Sequence, residues 1–515
     1  MKLVTVSEMK AIEQEADANG LTYDLMMENA GLGLAQIVQG LGCEQDERVI
    51  LGLVGPGNNG GDALVALTNL AANGWRARAF LVKRKKKDDE LIRRFEQAGG
   101  ELVDDDSDFV NLAAFIESAS VVLDGVLGTG IKLPLKADAA RLLAAARDAL
   151  DQLEARPFVI AVDCPSGVDC DTGAAAPECI PADLTVTMAC VKQGLLRFPA
   201  YELLGDLQVV DIGLPADLPA LNQITREAVD EERVRAMLPP RPLDSHKGTF
   251  GTALIAAGSV NYTGAAYLAG KAAYRAGAGL VTLAIPAPLH AALAGGFPEA
   301  TWLTLPHENG FIERAAAILL AQNLGRSTAL LVGPGLGMKH TTKDFLEKLL
   351  EAKLPPMILD ADGLKLLARI PDWHRKLSAP AVLTPHPGEM SVLTGLTSEE
   401  IQKDRETTAK RYAQEWGHVV VLKGAFTVIA APDGRIAVIP VATPALARAG
   451  TGDVLAGLIV GLRAQGVAAF EAAVAGAWIH AQAGLTSLEV VGSAASVLAG
   501  DVLDCVNDVM GGLDI

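Results

Sequence analysis

Aromatic residues are scarce in this chain, at 4% of 515 positions. Small residues take their place, which suits close helix-on-sheet packing better than platforms on which bases stack. Positive charge is also short. Forty-four Lys and Arg stand against 62 Asp and Glu, a formal charge of −18. Such a chain repels nucleic acid and anionic membrane surfaces. It repels phosphorylated ligands at long range as well, so a nucleotide site has to use local amides, a few lysines or a metal ion. Cysteines number only six. Four lie between Cys164 and Cys190, but no pair has CxxC spacing and no His/Cys cluster has zinc spacing. Reduced thiols are expected, including Cys164 and Cys170, which flank a glycine-containing loop. No uncharged apolar run reaches the roughly 18 residues of a membrane span. The first residues, MKLVTVSEMKAIEQEADANG, lack the apolar core of a signal peptide. A soluble, cytoplasmic protein with no nucleic-acid or membrane partner is expected.

Half the residues are hydrophobic, and 515 residues exceed what one core usually serves. Two domains follow. In the first, Ser7 is placed to cap an opening helix, and a second helix covers LMMENAGLGLAQIV. Apolar runs at 49–54, 77–82, 121–123, 158–162, 184–188 and 207–212 then read as strands separated by helices. That alternation predicts a Rossmann-like, doubly wound, mostly parallel α/β sheet. The basic run Lys83–Lys87, followed by Asp88, Asp89 and Glu90, reads as a solvated loop entering a helix. The pattern pauses at 214–232, where PADLPALNQ is turn-rich and a charged stretch ends in prolines. The domains are therefore set at 1–220 and 228–515. The second opens a fresh α/β series, with strands at 252–257, 281–285, 329–332, 357–359, 381–383 and 419–422. A hairpin about Pro432-Asp433-Gly434 and a helical last third follow.

Local chemistry concentrates where strands end. The loop Gly55-Pro56-Gly57-Asn58-Asn59-Gly60-Gly61-Asp62 joins a strand to a helix. Its glycines let amides turn toward an anion, and the helix start adds partial positive charge, which suits a pyrophosphate. It is neither a Walker loop, since no Lys-Ser/Thr follows, nor GxGxxG in register. Asp124, Asp163 and Ser166 also fall at strand ends, where open parallel sheets bind ligands. Oxygen donors of the Asn, Asp and Ser type suit a hard, monovalent cation better than a transition metal. Each Asp taken alone is equally a cap or turn former. In the second half four stations recur: HKGTFG with GSVNYTGA, GPGLG, DADGL with LTPHPGE, and LKGAFT with Gly450-Thr451-Gly452-Asp453. A helix opening with GTGD offers free N–H groups to a transferring phosphoryl group, and Asp453 is placed to take a proton from an attacking hydroxyl.

Together these motifs carry two resemblances. MKAIEQEADANGLTYDLMMENAG, GPGNNGGD, DGVLGTG and VDCPSGVD are similar to the NAD(P)HX epimerases of the YjeF N-terminal type, over about the first 215 residues. HKGTFG, GSVNYTGA, GPGLG, DADGL, LTPHPGEM, LKG and AGTGDVLAG resemble the ADP-dependent NAD(P)HX dehydratases, over about 230–510. The latter implies a C-terminal ribokinase-like α/β domain, in which GTGD is the anion hole and base. The former implies that Asn58, Asn59, Gly60, Gly61 and Asp62, with Gly128, Thr129, Gly130, Ile131, Lys132, Leu133 and Pro134, hold the substrate's diphosphate and ribose. Asp163 would face the reacting nicotinamide, and Asn59, Asp124 and Ser166 would bind potassium. In the second domain Lys423, Gly424, Ala425, Phe426, Thr427 and Gly452 would contact the adenine nucleotide. Gly450, Thr451 and Gly452 would cradle the phosphoryl group, with magnesium. Ala265, Gly337, His386 and Asp453 would contact the hydrated nicotinamide. Ala63 and Gly363 depart from the glycine and alanine usual in these families.

The implied substrates, NADHX and NADPHX, carry water at C6, which bears both OH and N. One positioned carboxylate, Asp163, could open and re-close that hemiaminal. Asp453 would deprotonate the C6 hydroxyl as it attacks ADP. The competing reading is a small-alcohol kinase fused to a non-catalytic nucleotide-binding domain. Small-residue helices in both halves suit a homo-oligomer, which is the expectation.

Overall fold

The computed structural model describes residues 1–42, 44, 48–103, 109–377 and 380–513. The chain divides into two compact units, Met1–Thr225 and Arg226–Ile515.

The first unit is built on a seven-stranded sheet, in the spatial order Glu101–Val103, Arg76–Leu81, Val49–Val54, Val121–Gly125, Phe158–Val162, Leu184–Met188 and Asp206–Val210. Every pairing is parallel. The central strands are continuous apolar runs because helices cover both faces. The chain winds one way from Val49–Val54 and then returns to add Val121–Gly125 on the other side. The ends of those two strands therefore flank the switch point, where such sheets bind ligands.

The second unit has a ten-stranded sheet. Its order is Arg226–Ala228, Ile436–Val438, Val428–Ala430, Val419–Leu422, Val382–Leu383, Met357–Leu359, Ala329–Val332, Thr252–Ala256, Leu280–Pro286 and Thr301–Leu305. Val428–Ala430 is antiparallel to both neighbours and the other pairings are parallel. The expected hairpin is thus the sheet's one reversal. An alanine-rich core buries the Thr263–Arg275, Thr451–Ala464 and Ala469–Val491 helices.

Close backbone approach sets the position of Thr451–Ala464. A Cβ at Gly457 would lie 2.3 Å from Ala269 O, and one at Gly461 2.5 Å from Ala273 O. Gly457→Ala is therefore expected to destabilise this unit by about 1–3 kcal/mol through overpacking. A thermal unfolding scan that showed an unchanged midpoint would remove that account.

Some local expectations need correction. Thr5, not Ser7, caps the first helix, Val6–Ala18, in a reciprocal box with Glu8. Short strands at Leu3–Val4, Glu101–Val103, Arg226–Ala228, His307–Glu308 and Phe311–Ile312 carry too few residues for their periodicity to register, and the edge strand Thr301–Leu305 was not anticipated either. Among the described residues, no helix is long and apolar enough to cross a membrane.

Candidate active sites

The first site forms where Val49–Val54 and Val121–Gly125 end. Gly57 precedes the Asn58–Ala72 helix with no side-chain cap, so first-turn amides stay open. The loop's glycines answer a packing demand. A Cβ at Gly55 would lie 1.9 Å from Val126 O, and one at Gly60 2.1 Å from Gly55 O. Arg84 braces this loop. It donates to Gly55 O at 3.2 Å and Gly57 O at 3.3 Å, and pairs with Asp89 at 2.8 Å. The basic run is therefore not wholly a solvated loop, because Arg84 turns inward while Lys85–Lys87 stay exposed.

A cavity of ≈ 870 Å³ opens beside the loop, and its wall includes Asn58, Asn59, Asp62, the segment Gly128–Lys132 and Asp163. Four predicted residues are not in that wall. Gly60 is turned to Gly55, Gly61 packs on Met27, and Leu133 and Pro134 lie beyond the segment that reaches the cavity.

Asp124 is 1% exposed behind the wall. It accepts from Ser166 N at 2.8 Å and Ser166 Oγ at 2.5 Å. The Leu127 carbonyl accepts from Ser166 Oγ at 3.2 Å and Asn59 Nδ2 at 3.0 Å. Burial raises the Asp124 pKa, and the Ser166 bonds offset part of that. The three predicted cation ligands thus converge with a main-chain carbonyl, an all-oxygen donor set apart from the Asn59 amide nitrogen. Among the described residues, no group of three or more His, Cys, Asp or Glu could hold a metal ion.

Asp163 has a left-handed backbone, φ +64°. Such a residue is held by its surroundings at a cost of about 1–3 kcal/mol, and the strain clusters at functional sites. Its Oδ1 accepts from Met188 N at 3.0 Å, Thr187 Oγ1 at 3.1 Å and the Lys192 ammonium. Lys192 is 1% exposed and also reaches Thr187 Oγ1 at 2.9 Å and Met188 O at 3.1 Å. Burial works to lower the Lys192 pKa, but Asp163 outweighs it and the net direction is up. Sequence reasoning missed Lys192. Its signal was the single charged residue in the run 184–196.

The second site gathers at the start of the Thr451–Ala464 helix. Gly450 sits before it at φ +93° with no side-chain cap, leaving the amides open. Thr451 Oγ1 is instead bonded to Leu446 O and Arg448 O, both at 2.9 Å. The Asp453 pKa is pushed up to about 7, first by burial and then by Asp360, with Lys423 opposing.

Lys423 Nζ bonds Asp360 Oδ1 at 2.7 Å and lies 3.6 Å from Glu389 Oε2. It would also be 3.6 Å from a Cβ on Gly452. Its side chain thus reaches below the helix start, and burial, which would lower its pKa, is overcome by these carboxylates. Thr427 Oγ1 donates to Gly424 O at 2.9 Å and closes the 424–427 loop, with Phe426 at φ +53°.

His386 caps the Pro387–Thr394 helix, its Nδ1 accepting from Gly388 N at 3.0 Å and Glu389 N at 3.3 Å. Burial lowers its pKa, and Nε2 is the nitrogen left for a ligand, 3.4 Å from Glu389 Oε1. Gly337 N donates to Asp362 Oδ2 at 2.9 Å. Ala265 packs where a Cβ on Gly335 would come within 2.9 Å. Ala265 and Gly337 are thereby linked through the GPGLG turn. Glu389, Asp360 and Asp362 were not singled out from sequence, although HPGE and DADGL carried them.

Two family models match the chain: YjeF-related protein N-terminus at residues 24–194, and NAD(P)H-hydrate dehydratase at residues 253–505. The bifunctional NAD(P)H-hydrate repair enzyme Nnr of Moorella thermoacetica is 38% identical over 524 residues, spanning 100% of this chain and 97% of that protein. The Escherichia coli enzyme of the same name is 34% identical, spanning 94% and 87%. A solved ADP/ATP-dependent NAD(P)H-hydrate dehydratase from Bacillus subtilis, co-crystallised with ATP/Mg2+, is 34% identical. It covers 55% of this chain and 98% of its own, at a TM-score of 0.48. Full-length identity of this order, with both family models matched in sequence order, means that the chain belongs to the bifunctional NAD(P)H-hydrate repair enzymes.

Proposed function

We propose that the first unit interconverts the C6 epimers of NADHX and NADPHX, and that the second dehydrates one epimer to NADH or NADPH at the expense of ADP. The observation that carries this reading is the pairing of two sites in one chain. One is an Asp163–Lys192 pair facing a nucleotide-sized cavity at a sheet switch point. The other is a base, Asp453, at the open start of a buried helix.

In the first site the Gly55–Asp62 amides and the Gly128–Lys132 segment bind the diphosphate and ribose, and Asp163 exchanges protons with the C6 hydroxyl. Asn59, Asp124 and Ser166 would hold potassium, which would supply a fixed positive charge at the Gly125–Gly130 turn. Asp124→Ala is expected to abolish stimulation of epimer exchange by potassium over sodium; retained stimulation would place the ion elsewhere.

In the second site Asp453 takes the C6 hydroxyl proton as that oxygen attacks the β-phosphoryl group of ADP, and AMP leaves. The 450–452 amides stabilise the transferring group. Magnesium bound to the phosphates would supply charge neutralisation there, and Glu389 and Asp360 are the carboxylates that could hold it. The ring nitrogen then expels the C6 phosphate, and loss of a C5 proton completes the dihydronicotinamide. Main-chain groups of 423–427 hold the nucleotide.

Asp453 acts in its ionised form, which is populated above its pKa. Dehydratase kcat/KM is therefore expected to rise about tenfold per pH unit below pH 7 and to level off above it. A profile flat from pH 5.5 to 8.5 would exclude Asp453 as the base.

Absorbance of reduced nicotinamide tests the whole reading, starting from both NADHX epimers with ADP, magnesium and potassium. Complete recovery is expected. Consumption of one epimer alone would leave the dehydratase and count against the epimerase. No recovery with ADP or ATP would favour the small-alcohol kinase.

A further inference from the structure

Nine titratable side chains line the cavity of the first unit, and among them Glu13, Asp163 and Lys192 act on the charge of Asp62. They are not equivalent. Asp163 is fixed by three donors on one oxygen and by its left-handed backbone. It accepts, and it cannot swing. Asp62 stands on the Asn58–Ala72 helix, and no hydrogen bond or ion pair to its carboxyl exists among the described residues. Burial raises its pKa well above the carboxylate range. Asp163 and Glu13 add to that, and Lys192 opposes it. The cavity thus presents one carboxyl fixed by three donors and a second with no partner of its own, unlike surroundings of the kind in which paired acids divide their roles.

Inverting a hemiaminal carbon requires proton traffic at two atoms, the C6 oxygen and N1. A single immobile carboxylate serves one of them well. We propose that Asp62 is a second catalytic residue of this site, the proton donor that works opposite Asp163. The proposal rests on the epimerase reading of the cavity. Asp163 accepts the hydroxyl proton, the O–H electron pair becomes the second C6–O bond, and the C6–N1 bond breaks. Asp62 protonates the freed N1. The aldehyde turns about the C5–C6 bond. N1 then attacks the other face of the carbonyl carbon, Asp62 recovers its proton from N1, and Asp163 returns its own to oxygen. Nothing is oxidised or reduced, and the product differs from the substrate only in its hand at C6.

The test uses the full chain and one purified NADHX epimer without ADP, so that only exchange is read, by chromatography. Asp62→Asn is expected to lower kcat about a hundredfold or more while KM stays within about threefold. Asp62→Glu should recover part of the loss. Dehydratase activity in the same preparation reports on folding. Absence of exchange in the unaltered protein would defeat the epimerase reading itself. If that protein exchanges epimers, then a kcat for Asp62→Asn within threefold, or an effect on KM alone, overturns the role of Asp62. So does a loss confined to Glu13→Gln. Should Asp62→Asn fail to fold, a proton inventory on the unaltered protein decides. A curved dependence on deuterium fraction is expected for two protons in flight, and a straight line would overturn the proposal.

Discussion

Asp453→Asn is expected to lower ADP-driven formation of NADH about a thousandfold, within the range that a positioned general base contributes. The side chain keeps its size, and the helix start keeps its amides, so ADP should still bind with little change. Burial makes the prediction sharp. Asp453 is pushed up to about 7 because water is largely excluded and Asp360 lies near, so no solvent base stands ready in its place. Single-turnover kinetics would separate the outcomes. Loss of the chemical step with ADP affinity retained supports the assignment, whereas a loss explained by ADP affinity alone would make Asp453 a nucleotide ligand. Epimer exchange in the same protein should be untouched, because that chemistry belongs to the other unit.

Asp163→Asn should show the converse, a fall in epimer exchange of about a hundred- to ten-thousandfold with the dehydratase intact. Starting from mixed epimers, NADH recovery should become biphasic: a fast phase consuming the dehydratase's epimer, then a slow one limited by spontaneous interconversion. Asn can still accept from Lys192, Thr187 and Met188, which limits damage to the fold. The cost that remains is a buried ammonium facing a neutral amide instead of a carboxylate. A monophasic progress curve at the original rate would remove Asp163 from the reaction.

Much of this was legible in the sequence. Continuous apolar runs ending in glycine or aspartate announce parallel strands with ligands at their carboxyl ends, and the runs at 49–54, 158–162, 329–332 and 357–359 coincide with strands of the structure. GPGNNGGD and GTGD were readable because short motifs at a strand end or helix start carry their own physical mechanism. The short strands Leu3–Val4, Glu101–Val103, Arg226–Ala228, His307–Glu308 and Phe311–Ile312 were not, since a period cannot be seen in so few positions and no motif marks them. Lys192 and Arg84 were overlooked for a different reason. A lysine or arginine is ordinarily solvated, and nothing local shows that one of them meets Asp163 from 29 positions away, or that the other braces the backbone of Gly55 and Gly57.

The sequence by itself therefore determined the two α/β units, their order, and the presence of a glycine-rich strand-to-helix loop in one and a GTGD helix start in the other. These follow from period, turn chemistry and motif, all of which are local. Only the tertiary structure decided which charges meet. It set Asp163 against Lys192 and left Asp62 unpaired in the wall of the same cavity. It also bound Lys423 to Asp360 and so shaped the field that raises Asp453. Electrostatics depends on distance and burial, and the fold fixes both between residues far apart in the chain.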